Sequence, residues 1–273
     1  MILFEEIEHK YFEENFPEEK WLSVSGLFDL VKRKFDSKER SEAYSKKGKE
    51  WILNDLAIKW EISLEESNQK WGHLELNPED IRNIWESKAT IGKAKGTRWH
   101  KEVEQKLLSN GGIRGTQIQG IYTKSIDLFN LKKGDYIELI IPYPELKLVG
   151  TADRVKILDG NKFIIRDWKT DKELKYYGTA YYDKKSGTKK VQKLLPPLSH
   201  VEDVNGNHYN IKESLYIYFL EQYGYEFQEG WIDHVIFEED KGVNVIEYPI
   251  TYMKKEVQNL LTWYKANKSK HNK

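Results

Sequence analysis

The chain of 273 residues contains no cysteine, so it has neither a disulfide framework nor a cysteine-ligated iron–sulfur cluster. It has only seven prolines, and no apolar run approaches membrane-spanning length. The opening Met1-Ile-Leu-Phe-Glu-Glu is too short and too acidic for a secretory signal. Charge of one sign is missing too: 44 basic residues balance 44 acidic ones, so net charge gives no support for a polyanionic partner. No G-x-x-x-x-G-K-[ST] phosphate loop occurs, which excludes a built-in P-loop motor. A cytoplasmic protein with no membrane partner is the expectation.

The most informative stretch is Gly150-Thr-Ala-Asp153-Arg-Val, followed by Phe163-Ile-Ile-Arg-Asp167-Trp-Lys169-Thr. Between them lie Val155-Lys-Ile-Leu and the turn signal Asp159-Gly-Asn, the pattern of a β-hairpin. Asp167 and Lys169 are two apart on one strand and share a face. An Asp-x-Lys pair is usually a solvated edge pair. Here it ends the apolar run Phe163-Ile-Ile, as in a strand buried on both faces, where charges are expensive without partners or a metal. A register that brings Asp153 alongside gives two hard oxygen ligands and one ammonium, suited to Mg²⁺ or Mn²⁺.

Upstream, Gly96-Thr-Arg-Trp-His100-Lys-Glu-Val-Glu104 continues as a helix that Asn110-Gly-Gly ends. His100 and Glu104 are four apart and lie on one helical face. Downstream, Tyr209-Asn-Ile-Lys212-Glu-Ser-Leu-Tyr216-Ile-Tyr-Phe-Leu-Glu221 reads as an amphipathic helix stopping near Gly224. Alone, each of these reads equally well as a polar helix face or a packing helix.

In this order the segments resemble the PD-(D/E)XK nuclease superfamily, and within it the RecB-like, phage-type exonucleases. The motifs are G-T-x-x-H-x-x-x-E at Gly96–Glu104, G-x-x-D at Gly150–Asp153, D-x-K-T at Asp167–Thr170, and the helix that usually carries Q-x-x-x-Y at Lys212–Tyr216. Leu22-Ser-Val-Ser-Gly-Leu-Phe is similar to the P-S-V-T-x-x-L opening of phage and mitochondrial members, and Pro197-Leu-Ser-His200 to a segment preceding their last helix. One departure stands out: Lys212 occupies the glutamine position, or a shifted register pairs Ser214 with Tyr218.

The resemblance implies a restriction-endonuclease-like α/β core, a mixed central sheet flanked by helices. It implies that His100, Asp153, Asp167 and the carbonyl of Trp168 hold Mg²⁺ or Mn²⁺. Lys169 would orient or help deprotonate the attacking water, Glu104 would stand behind the ligands, and Tyr216 would position the substrate backbone. Lys93, Lys95, Arg98, Trp99, Thr170 and Lys212 are expected on the substrate side. The implied activity is metal-dependent hydrolysis of DNA phosphodiester bonds, most naturally from an end, in phage-type recombination or repair. The implied partners are DNA and a separate helicase, single-strand-binding or recombination protein, in a bacterial host if the chain is phage-encoded. Two rivals remain at this stage: a catalytically inactive DNA-binding or structural member of an assembly, and an unrelated metal hydrolase of small phosphate esters.

Helical spacing places helices around Ser25–Phe35, Ser41–Glu61 and Pro78–Lys88, so residues 1–95 are expected to be a helical region capping the cleft. Residues 96–273 are expected to hold the core, with strands Tyr136–Tyr143, Leu146–Leu158, Lys162–Lys169, Gly230–Glu238 and Val243–Ile250. An irregular polar insertion is expected at 171–210 and a last helix from Thr251 to Ala266. Of the nine tryptophans, Trp51 and Trp60 read as core.

Overall fold

A computed structural model describes residues 1–5, 8, 10–118, 121–183, 187–238 and 242–271. The elements run β1 (Ile2–Glu5), β2 (Lys10–Glu13), β3 (Phe16–Ser23), α1 (Val24–Asp29), α2 (Ser37–Ser45), α3 (Lys49–Trp60), α4 (Leu64–Trp71) and α5 (Pro78–Ser109). They continue with β4 (Thr116–Ile118), β5 (Tyr122–Lys124), β6 (Gly134–Tyr143), β7 (Leu148–Ile157), β8 (Lys162–Lys169), β9 (Tyr181–Asp183) and β10 (Thr188–Lys190). The chain ends with α6 (Asn205–Gln222), β11 (Glu226–Glu238), β12 (Gly242–Pro249) and α7 (Lys254–His271). The fold is mixed α/β: a large mixed sheet flanked by helices.

That sheet runs β12-β11-β8-β7-β3-β2-β1-β5-β4, with β6 also paired to β7. β11–β8 and β3–β7 are parallel and the remaining pairs antiparallel. The β7–β8 connection is the turn foreseen at Asp159-Gly-Asn, with φ of +71° at Gly160 and +57° at Asn161. On the sheet pack α1, α6 and α7. Their Leu27, Phe28, Ile211, Leu215, Phe219, Leu260 and Tyr264 share one core with Val155, Phe163, Ile165 and Ile232. α6 is apolar on several sides because it is enclosed on several sides. Asn210 Oδ1 and Ser214 Oγ on α6 accept the backbone N–H groups of Thr251 (3.2 Å) and Met253 (2.9 Å), which fixes α6 against the start of α7.

The division of the chain differs from the expected boundary at residue 95. One compact unit comprises Met1–Arg33 with His100–Lys273, and the other is Lys34–Trp99. The first residues join the larger unit because β3 finds a hydrogen-bonded partner in β7 (Leu22↔Leu148, Ser23↔Val149), while β2 and β1 extend the sheet from it. The smaller unit is helical, with its own core of Ile52, Leu53, Leu56, Trp71, Leu76, Ile81 and Ile84. Trp60 packs against that core as expected, but Trp51 is 46% exposed, with Lys47 Nζ 5.7 Å from its ring centre.

The helices expected at Pro78–Lys88 and around Gly96–Leu108 are one continuous helix, α5. Asn77 caps it, its Oδ1 accepting the N–H groups of Glu79 (2.9 Å) and Asp80 (3.0 Å). The expected insertion at 171–210 is shorter, since α6 begins at Asn205. It is also less superficial: Leu194, Leu198 and Val201 are buried in the main core.

At Gly150 the Tyr216 ring of α6 comes close against β7. A methyl group on that glycine would overlap Tyr216 Cε1 and stand 3.0 Å from both Tyr216 Oη and Val24 Cγ2. We therefore expect Gly150→Ala to destabilise the fold by about 1–3 kcal/mol through overpacking, read as a lower urea midpoint at unchanged slope.

Candidate metal centre

The ladder between β7 and β8 ends at the pair Arg154↔Arg166. At the next position Asp153 Oδ2 accepts the backbone N–H of Trp168 at 2.9 Å, so a side-chain carboxylate stands where a strand carbonyl would continue the pairing. β8 is held on its other side by β11, with Asp167 opposite Ile232, Trp168 opposite Asp233 and Lys169 opposite His234. The two strands part at the residues that carry the charges.

Glu138 on β6 completes the arrangement. The flanking pairs Ile137↔Arg154 and Leu139↔Ala152 put it across from Asp153, and its φ of +51° is unusual for a non-glycine residue inside a strand. From α5, His100 Nδ1 comes within 3.5 Å of Asp153 Oδ2, with its ring edge-on to Trp168. One donor atom from each of His100, Glu138 and Asp153 lies within 4.8 Å of the others. An octahedral shell with bonds of ~2.1 Å separates its donors by about 3.0–4.2 Å, so modest closure fits this set to Mg²⁺ or Mn²⁺.

Beside this cluster, Lys169 Nζ lies 2.5 Å from Asp167 Oδ2 and donates to the Trp168 carbonyl at 3.2 Å. The cluster shares His100 and Asp153 with the expected donor set. Glu138 joins His100 and Asp153, while Asp167 and the Trp168 carbonyl are engaged by Lys169.

The electrostatics follow from crowding carboxylates into a dry place. Burial, then the charge of Asp167, pushes Asp153 above the usual carboxylate range, against the pull of Lys169 and His100. Burial and then Asp153 push Glu138 well up, with Glu104 adding to the rise and Arg114 opposing it. For Lys169, burial works to lower the pKa, yet Asp167, Asp153 and Glu213 outweigh it and hold the ammonium well above its ordinary value. Glu213 on α6, almost fully buried, is pushed well up by burial and by Asp167. Among the described residues its Oε2 has no hydrogen-bond partner.

The other anticipated residues take varied places. Glu104 pairs with Arg114. Tyr216 is buried against Gly150. Lys212 is half-buried, with Nζ 5.0 Å from the Tyr209 ring centre. Thr170 is half-buried just after β8. Lys93, Lys95 and Arg98 are exposed on α5, and Trp99 on the same helix is half-buried. Sequence reasoning passed over Glu138, Tyr209 and Glu213. For Glu138 there was a signal, a single carboxylate inside the apolar run Tyr136-Ile-Glu138-Leu-Ile-Ile.

No protein-family model matches the sequence, and no curated protein matches it. Among solved structures the chain is similar to one described as SSO0001, at 12% identity over 88% of this chain and 81% of that one. The TM-score is 0.27, too low to bear on fold or function.

The raised carboxylates predict a specific trade. A carboxylate whose folded pKa is raised contributes stability that is fully present below its unfolded pKa and is lost as pH rises through the folded one. In EDTA, Glu138→Gln should therefore be more stable than the parent at pH 8, with that advantage vanishing at acid pH. By calorimetry the same variant should bind Mn²⁺ at least about tenfold more weakly. A parent and variant with equal Mn²⁺ affinity would remove Glu138 from the ligand set.

Proposed function

We propose that this chain is a divalent-metal-dependent nuclease with a restriction-endonuclease-like PD-(D/E)XK core, hydrolysing DNA phosphodiester bonds. The observation that carries the reading is the parted end of β7 and β8. There Asp153, with His100 and Glu138 near it, faces a strand end carrying the Asp167–Lys169 pair. Among the described residues no helix is long and apolar enough to cross a bilayer.

In this reading His100, Glu138 and Asp153 hold the ion. A bound Mg²⁺ or Mn²⁺ supplies an acidified water and positive charge against the phosphate. Burial works against the charge of Lys169, but Asp167, Asp153 and Glu213 outweigh it and favour the protonated form. The ammonium donates hydrogen bonds and fixed charge, orienting the incoming water and stabilising the charge that builds on the phosphate oxygens. Asp167 holds that ammonium in place, and the hydrogen bond from Trp168 N–H aims the Asp153 carboxylate. No covalent intermediate is called for. DNA is the partner, cut from an end in phage-type recombination or repair, and any motor is a separate protein.

The test is digestion of end-labelled linear and closed-circular DNA with Mg²⁺, Mn²⁺ or EDTA. We expect metal-dependent loss of the linear substrate with the circle spared. Lys169→Ala and Asp153→Asn should each lower the rate by about 10²–10³-fold, the scale on which one charge-stabilising donor acts. Cleavage of the circle would make the protein an endonuclease. Folded, metal-supplied protein that cuts neither single- nor double-stranded DNA would give first place to the DNA-binding, non-catalytic alternative.

A further inference from the structure

The chain leaves β8 just past Lys169 and enters a segment of unusual composition. Residues 171–193 carry four tyrosines and seven lysines against three acidic residues, in a chain whose charges otherwise balance. All three acids are engaged: the Tyr209 hydroxyl donates to Asp171, Lys175 pairs with Glu173, and Lys190 with Asp183. The base of the segment is stapled to the body of the protein. The Asp171 carbonyl accepts His234 Nε2–H at 2.7 Å, Lys175 N–H donates to Asn205 Oδ1 at 2.8 Å, and Gly178 N–H donates to the Glu202 carboxylate at 2.7 Å. A methyl group on Gly178 would overlap Val191 of the returning leg, so the two legs close into a neck there. Past the neck, β9 and β10 form a two-stranded sheet of their own, separate from the large one.

The register of that hairpin sorts its side chains. Tyr182 stands opposite Lys189 and Tyr181 opposite Lys190. Opposite residues share a face and successive residues alternate between faces, so Tyr182 and Lys189 lie together on the face away from Lys190. Lys190 is neutralised by Asp183. Lys189 is exposed and, among the described residues, has neither an ion pair nor a hydrogen bond. Tyr182 is 63% exposed, Tyr181 51% and Tyr177, at the neck, 84%. Among the described residues none of these rings packs on another ring and none of their hydroxyls is hydrogen-bonded. A two-stranded hairpin is marginal by itself, and these large rings contribute nothing to the core. An open ring face with a free ammonium directly across the ladder is the combination that holds a base by its face and the adjoining phosphate by its charge.

We propose that the β9–β10 hairpin is a stacking platform for single-stranded DNA, with a base on the Tyr182 ring and an adjoining phosphate on Lys189. This rests on the nuclease reading above and deepens it by naming the form of the substrate, a single-stranded end or overhang. In a duplex each base is covered above and below by its neighbours, so the ring can receive only a base outside the stack. The platform tolerates any sequence, since every base has a π-face and an ammonium meets phosphate as a point charge. Its stapled neck follows directly from the strand that carries Asp167 and Lys169, which ties the platform to the site.

The experiment measures binding to the full chain in EDTA by anisotropy, with fluorescein-labelled oligo-dT of about 15 nucleotides and a blunt duplex of the same length, between about 50 and 200 mM KCl. The parent is expected to prefer the single strand. Tyr182→Ala should bind the single strand about 5- to 150-fold more weakly, the range for loss of one base stack, while Tyr182→Trp keeps the parent's affinity. Lys189→Gln should reduce the slope of log affinity against log salt by about 0.7, the value for one phosphate on a single strand. The urea midpoint of Tyr182→Ala should match the parent's, as for an exposed ring with no structural role. Equal single-strand affinity in Tyr182→Ala and the parent, or a parent that prefers the duplex, overturns the platform. Tighter binding of oligo-rU than of oligo-dT overturns its assignment to DNA. A parent that sediments as a dimer while Tyr182→Ala sediments as a monomer, with equal DNA binding, makes the hairpin a contact between copies and likewise overturns it.

Parallel digestions of a single-stranded substrate with Mg²⁺ or Mn²⁺ separate this from the nuclease reading. If the parent cuts DNA and Tyr182→Ala keeps its affinity and KM, the platform falls and the nuclease stands. If Tyr182→Ala loses affinity as expected but the parent cuts nothing, the platform stands without catalysis.

Discussion

The hydrogen bond from Trp168 N–H to the Asp153 carboxylate is the contact on which the rest of the site depends. It ends the β7–β8 ladder with a side chain, so the strands can diverge without leaving a buried amide unpaired. β11 continues to hold β8 past that point, which keeps Asp167, Trp168 and Lys169 on a rigid strand, not a loop. The same bond fixes the Asp153 carboxylate, and Glu138 and His100 take their positions relative to it.

The charges gathered there oppose stability when no ion or substrate is bound. Glu138, Asp153 and Glu213 are all pushed toward their neutral forms, chiefly by burial. Buried ion pairs are often no more stable than well-packed apolar side chains of similar size. An apolar core of Val155, Phe163, Ile165 and Ile232 lies on these same strands, so the sheet had apolar alternatives for its charged positions. Charge retained at such cost is better explained by a ligand than by folding.

Much of this was legible in the sequence where the determinants are local. The Asp159-Gly-Asn turn, the limits of β8 at Lys162 and Lys169, and the order of charged motifs follow from turn chemistry and apolar runs. What escaped was non-local. β3 has its strand partner in β7, more than a hundred residues away, and its own exposed, charged sequence Phe16-Pro-Glu-Glu-Lys carries no clear alternation. α5 joins two segments expected separately, and Gly92 and Gly96 within it each cost about 1 kcal/mol in a helix interior. Capped at Asn77, it runs on through both glycines. Glu138 was hidden because a strand register, set by residues on either side of it, decides what it faces.

The glycine of the Gly150–Asp153 stretch has a reason that backbone conformation does not supply, since its φ lies outside the left-handed region. It is needed because the Tyr216 ring occupies the place of a side chain there. That close approach sets the height of α6 over β7, and α6 carries Tyr209, Lys212, Glu213 and Tyr216 at spacings of three to four residues, along one stripe of the helix. The missing side chain at Gly150 thus links the sheet that holds Asp153 to the helix that brings a ring and an ammonium beside Lys169. Any larger residue would push that stripe outward and carry Tyr209 and Lys212 away from Lys169, even with every charged residue still in place.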